Sequence, residues 1–121
     1  MTIDEFQKCD LRIGRVLGAE RVASSDKLIK LEVDLEEKNE EGLPAPRQII
    51  AGIGRTYAPE DLVGKQIVIV ANLESRKFTI RSDSGQVVLE SQGMLLASHN
   101  EDDSPVILTV EREVPPGSTI S

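Results

Sequence analysis

LIKLEVDL, residues 28 to 35, sets the terms of the fold. Ile29, Leu31, Val33 and Leu35 alternate with Lys30, Glu32 and Asp34, the period of two expected of a strand with one face in the core and the other in water. On its amino-terminal side, LRIGRVLGAE (11 to 20) mixes Leu11, Ile13 and Val16 with Gly14 and Gly18, which reads as a strand bent by a glycine. Before that, Thr2 and Glu5 have the spacing of a capping box. Ile3 and Phe6 share one helical face, so residues 3 to 8 are expected to form a short helix that packs on the body.

On the carboxy-terminal side a polar loop, EEKNEEGLPAP, leads into RQIIAGI (47 to 53), a third strand. In APEDLVGK, Pro59 opens and Gly64 closes a short connecting helix. QIVIVANL (66 to 73) is a fourth strand whose unbroken apolar run implies burial on both faces. TIRSDSGQVVLE centres on a Ser82-Asp83-Ser84-Gly85 turn between two β-prone arms, the pattern of a projecting hairpin. GMLLA (93 to 97) is the fifth strand. PVILTVE, with Val106, Leu108 and Val110 alternating, and a Pro115-Pro116-Gly117 turn follow it. Short strands, one late connecting helix and glycine-marked bends fit an all-β protein, a small closed or nearly closed barrel. Periodicity does not set strand order, so a sandwich fits the same pattern.

The chain of 121 residues reads as one domain, 1 to 121. Its longest apolar run, Ile67 to Ala71, is far below the roughly 20 residues that span a bilayer. The acidic, weakly apolar amino terminus lacks the look of a secretory signal, so the expected location is cytoplasmic. Cys9 is the single cysteine and is expected to be a small buried residue. The net charge of -7 argues against a nucleic-acid partner until its distribution is followed. Residues 32 to 41 carry -5 and residues 101 to 113 carry -4, which leaves +2 on the rest. Within that remainder, Arg76 and Lys77 stand side by side in ANLESRKF (71 to 78).

Catalysis has little to work with. His99 is the single histidine, no glycine loop follows G-x-G-x-x-G, and the acidic runs lack the order of a calcium loop, so neither an enzyme nor a metal or cofactor is expected. A binding module is the remaining class. With only Phe6, Tyr57 and Phe78 as aromatics, stacking along many bases is ruled against, and a nucleic-acid partner would be held by phosphates, sugars and shape. Read alone, Arg76 and Lys77 fit a solvated turn as well as a phosphate grip, Asn72 a strand-end cap, Ser91 a turn, Met94 a core side chain, and Lys27 and Lys30 the wet face of a strand.

Five ordered blocks resemble one family: DLRIGRVLGAERV (10 to 22), SDKLIKLEVDL (25 to 35), RQIIAGI (47 to 53), LVGKQIVIVANLESRKF (62 to 78) and SQGMLLAS (91 to 98). They are similar to the tRNA-binding domain of free-standing structure-specific tRNA-binding proteins, of the carboxy-terminal appendage of methionyl-tRNA synthetases and of the cytokine-like synthetase cofactors. The resemblance implies an oligonucleotide-binding (OB) fold, a five-stranded barrel with a short amino-terminal helix, one connecting helix and a carboxy-terminal β extension. It further implies a homodimer, with the VPPGSTIS tail and the Val106 to Val110 segment against the twin, and tRNA as partner. By the same resemblance Asn72, Arg76, Lys77, Ser91 and Met94 face the RNA, with Lys27, Lys30 and Arg47 extending the track. The family's basic pair is usually joined to SQGM by a few residues, whereas Thr79 to Glu90 is longer here. Two further readings come with the resemblance: a peptide-binding secretion-type chaperone of similar fold, and a cofactor that delivers tRNA to an aminoacyl-tRNA synthetase.

Overall fold

The computed structural model describes residues 1 to 121. Helix α1 (Ile3–Gln7) begins at the capping box read from the sequence: the Thr2 side chain accepts from Glu5 N, and the Glu5 carboxylate accepts from Thr2 N. It buries no residue. Ile3 is exposed and Phe6 half-buried, so the helix lies on the surface. Cys9, just beyond it, is exposed, contrary to the expectation of burial, because the chain turns there before β1 (Leu11–Arg21) enters the sheet.

Strands β2 (Ile29–Asp34), β3 (Arg47–Ala51), β4 (Gln66–Val70) and β7 (Met94–Leu95) join β1 in one antiparallel sheet ordered β3-β2-β1-β4-β7. The sheet curls so that β3 meets the segment leading into β7, where Gln92 N donates to Gln48 O, and the barrel nearly closes. β2 keeps the alternation of its sequence, with Ile29, Leu31 and Val33 buried and Lys30, Glu32 and Asp34 on the wetter side. All five residues of β4 are buried, as its apolar run implies. The core gathers Val16, Ile29, Leu31, Val33, Leu35, Ile49, Leu62, Ile67 and Ile69, with Leu62 supplied by α2 (Pro59–Leu62), which packs beside β1. Burying each of these aliphatic side chains is worth roughly 1.5–3 kcal/mol.

The bend in β1 has two parts. The pairing with β2 shifts between Val16 and Gly18, a bulge at Leu17 that leaves this leucine exposed. Gly14 serves packing instead: a Cβ there would collide with the Val33 and Leu35 side chains. The first half of β1 is paired on its second side by the tail, through Ile13 N to Ser118 O, Gly117 N to Ile13 O and Ile120 N to Leu11 O. The tail's backbone is thus engaged within its own chain.

Strands β5 (Arg76–Ser82) and β6 (Gly85–Ser91) form the expected hairpin, closed by Asp83 and Ser84, with Gly85 at φ +125°. The expected fifth strand over 93 to 97 is broken: β7 ends at Leu95, Leu96 N still bonds Val68 O, and β8 (Ala97–His99) turns off to pair with β9 (Pro105–Ile107). The alternation read through Glu111 ends as a strand at Ile107, and Val106 and Leu108 are exposed. No helix is long and apolar enough to cross a membrane.

Candidate nucleic-acid interface

The loop after β4 is fixed from below before any side chain reaches outward. Ala71 N donates to Asp10 O at 2.7 Å. Asn72 completes the clamp with Oδ1 accepting from Asp10 N at 2.9 Å and Nδ2 donating to Lys8 O at 2.6 Å. Its amide therefore ties the loop to the segment between α1 and β1.

Arg47, first residue of β3, holds both ends of the excursion that carries the hairpin. Its Nη1 donates to Ala71 O at 2.6 Å and to Gln92 O at 3.0 Å, one on each flank. Nε and Nη2 fork onto the Glu37 carboxylate at 2.7 and 2.9 Å, the planar match that arginine makes and lysine does not. The bond from Arg47 holds the Glu37 carboxyl below its ordinary pKa against the opposing effect of burial, and the same contact raises Arg47. Arg12, bonded to Asp10 at 3.0 Å, lies close enough to depress Glu37 further. Four groups thus link the acidic loop, β1 and β3 beneath the hairpin, an arrangement with no trace in local spacing.

Ser91, last residue of β6, is 3% exposed; its hydroxyl accepts from Ile50 N and donates to Gly93 O, both at 2.9 Å. Gly93, at φ +154°, leaves room there for the Ile49 side chain and Val70 O. Lys30 pairs with Glu20 at 2.5 Å. Lys27 is exposed, with its stem laid over Gly52. Met94 is 47% exposed on the edge strand β7. Arg76 and Lys77 are exposed and form no ion pair, and the Arg76 guanidinium lies 4.7 Å from the centre of the Phe78 ring.

Of the eight residues picked out in the sequence, Arg76, Lys77, Lys27 and Met94 present free surface. Asn72, Ser91 and Arg47 bond within the protein, and Lys30 is shared with an acid. The cleft over β1, β2 and β3, about 490 Å³, is lined by Glu20, Lys30, Glu32, Arg47 and Gln48 among others, so its charges are mixed rather than cationic. Tyr57 packs on the core, and its hydroxyl accepts from Ile107 N. Phe78 is half-buried and has Arg76 over its face. Neither ring stands clear as a stacking platform. No group of three His, Cys, Asp or Glu side chains is placed to hold a metal ion.

A model of the tRNA binding domain matches residues 11 to 119. The chain is 44% identical over 120 residues to the methionine-tRNA ligase of Archaeoglobus fulgidus, covering 99% of this chain and 16% of that protein. It is 46% identical over 121 residues to that of Thermotoga maritima, covering 100% of this chain and 17% of that protein. It thus spans about a sixth of the ligases it matches. Among solved structures, a MetRS-related protein from Pyrococcus horikoshii superimposes with a TM-score of 0.79 at 35% identity, covering 100% of this chain and 97% of that one. The chaperone CsaA of Bacillus anthracis does so with 0.76 at 33% identity, covering 100% and 98%. With nine-tenths of its length inside the family's match and its OB-like barrel intact, this chain belongs to the tRNA-binding domain family.

Proposed function

We propose that the protein is a non-catalytic, homodimeric tRNA-binding protein that holds tRNA by shape and phosphate backbone. The observation that carries this reading is the coincidence of the family match with two exposed, unpaired cations, Arg76 and Lys77, that open β5 just after a loop clamped from below. In this reading Arg76, Lys77 and Met94 touch RNA, Lys27 and Lys30 extend the track, and Asn72, Ser91 and Arg47 act by holding the loop in place. The scarcity of free aromatic faces supports a phosphate-led grip over base stacking. The Val106 to Val110 segment, with Val106 and Leu108 exposed, and the VPPGSTIS tail are the surface proposed to meet a twin. In this reading the protein acts in the cytoplasm.

The test is a titration against total tRNA, an unstructured RNA of equal length and a simple duplex, at low and near-physiological salt. Expected are preference for tRNA and an affinity that falls as salt rises. Reversing the charge at Arg76 and Lys77 together should weaken binding roughly tenfold or more at low salt, with unchanged thermal unfolding. Equal affinity in the variant removes the pair from the site. Light scattering at micromolar concentration reads the dimer, and a monomer mass sinks it.

A second reading rests on the likeness to the Bacillus anthracis chaperone and on a shallow groove between α1 and the tail lined by Ile3, Phe6, Leu11 and Ile120. Suppressed aggregation of an unfolded client with no tRNA retention would put it first. Delivery of tRNA to a synthetase is the third, suggested by the ligase relatives. Recovery of no synthetase in a pull-down from native extract counts against it.

A further inference from the structure

Successive strand residues point to opposite faces, so Arg76 and Lys77, neighbours in sequence, are not neighbours in space. The β5–β6 register assigns the faces. Arg76 stands opposite Ser91, Phe78 opposite Leu89 and Ile80 opposite Val87; Lys77 stands opposite Glu90, Thr79 opposite Val88 and Arg81 opposite Gln86. The first set holds every buried or half-buried residue of the hairpin: Ile80, Ser91, Phe78 and Leu89. It faces the barrel, where Val87 and Leu89 overlook Val22, Ala23 and Lys30. The second set is exposed throughout. Arg76 therefore belongs to the inward face, over Phe78, and Lys77 to the outward one.

On the outward face the same-side partner of Lys77 is Arg81, four residues on and about 13 Å away at the rise of a strand. Neither cation takes part in an ion pair, and no side-chain hydrogen bond occupies either. Thr79 lies between them, and Gln86 is directly across from Arg81. Arg12, Arg15, Lys30, Arg47 and Arg55, by contrast, are each paired with a carboxylate. Two acids lie near: Glu90 across from Lys77, and Asp83 in the turn.

We propose that this outward face is a phosphate-binding surface for RNA backbone, in which Lys77 and Arg81 meet separate phosphates of one strand while Thr79 and Gln86 offer neutral donors between them. It rests on the tRNA-binding reading and adds Arg81, Thr79 and Gln86 to the interface. Free cations, the polar Thr79 and Gln86, and the absence of an exposed aromatic on this face suit a phosphate backbone over bases, with the exposed Val88 across from Thr79 its one apolar side chain. Continuity through Lys77 with the loop at Asn72 makes it an extension of that surface. Glu90 opposes the anion and sets its limit.

The full chain is titrated with total tRNA across a salt series, as wild type, Arg81→Ala, Glu90→Gln and the Arg76→Glu/Lys77→Glu double variant. Arg81→Ala should bind about three- to tenfold more weakly at low salt, with a slope of log affinity against log salt shallower by about one. Glu90→Gln should bind about two- to threefold more tightly, a gain that misfolding does not mimic. If Arg81→Ala and Glu90→Gln both match wild type while the double variant loses binding, the hairpin face is overturned and the tRNA reading stands. If wild type retains no tRNA, both fall. Poly-glutamate retained in place of tRNA, and lost in Arg81→Ala, overturns the proposal in favour of an acidic protein partner.

Discussion

Arg47 at the start of β3 and Arg81 near the tip of β5 carry the same guanidinium in opposite settings. Arg47 is enclosed by the barrel wall, forked onto Glu37 and bonded to the carbonyls of Ala71 and Gln92. Arg81 stands on an exposed strand face with no partner. The wall is built from strands whose neighbours on both sides offer acids and carbonyls, so a cation there finds a protein partner. The hairpin is two strands wide, and on its outer face neither Lys77 nor Arg81 forms an ion pair, although Glu90 stands across from Lys77. Availability, rather than charge, separates the two regions.

Arg47→Met is the most severe way to break that comparison. It keeps the unbranched apolar stem but removes the guanidinium, leaving two carbonyls and the Glu37 carboxylate without their donor. A loss of about 2 kcal/mol is expected, since Arg47 is mostly but not wholly buried. At this chain length that lowers Tm by on the order of 8 °C, readable by circular dichroism. RNA affinity should fall with it, because both flanks of the hairpin come loose. A variant as stable as wild type with weaker binding would instead make Arg47 a direct RNA contact.

Asn72→Ala sharpens the same contrast at smaller cost. Two bonds to backbone groups of the segment between α1 and β1 disappear at an exposed site, for an expected loss of about 1 kcal/mol by urea unfolding. If affinity falls far more than stability, the amide reaches RNA as well as holding the loop.

The barrel strands were legible because each carries its own pattern: β2 alternates, β4 is an unbroken apolar run after Gln66, and the Ser82–Gly85 turn announces the hairpin. The fate of the cations was not, because it depends on pairings far apart in sequence, ten residues from Arg47 to Glu37 and 45 from Arg47 to Gln92. The doublet Arg76–Lys77 misleads for a related reason. Adjacency implies one shared surface only until the residues are known to begin a strand, when it implies two. β9 ends at Ile107 because Leu96 N is turned to Val68 O, so that the next pair of the β8–β9 ladder keeps one bond, Leu108 N to Leu96 O, a competition that alternation in Val106, Leu108 and Val110 does not reveal.

The finest distinction between the regions is in their response to acid. Glu37 is held below its ordinary pKa chiefly by the bond from Arg47, so it favours the folded state in its charged form. A carboxylate depressed on folding stabilises above its unfolded value, about 4.3, and that contribution is lost as pH falls through the folded value. Wild type should therefore lose stability between pH 5 and pH 3 more steeply than Arg47→Met, in which Glu37 has lost its main partner and keeps only the weaker pull of Arg12. Asp26 and Asp102 are depressed too, by Arg55 and by Ser104, but both are unchanged in the variant and cancel in the difference. Glu37 is a third exposed, so the difference should be less than about 1 kcal/mol, measured as urea midpoints at the two pH values. Parallel pH profiles would mean that Arg47 holds the hairpin through its two carbonyls alone, and that the acidic loop bearing Glu37 could be cut back without loosening the proposed RNA face.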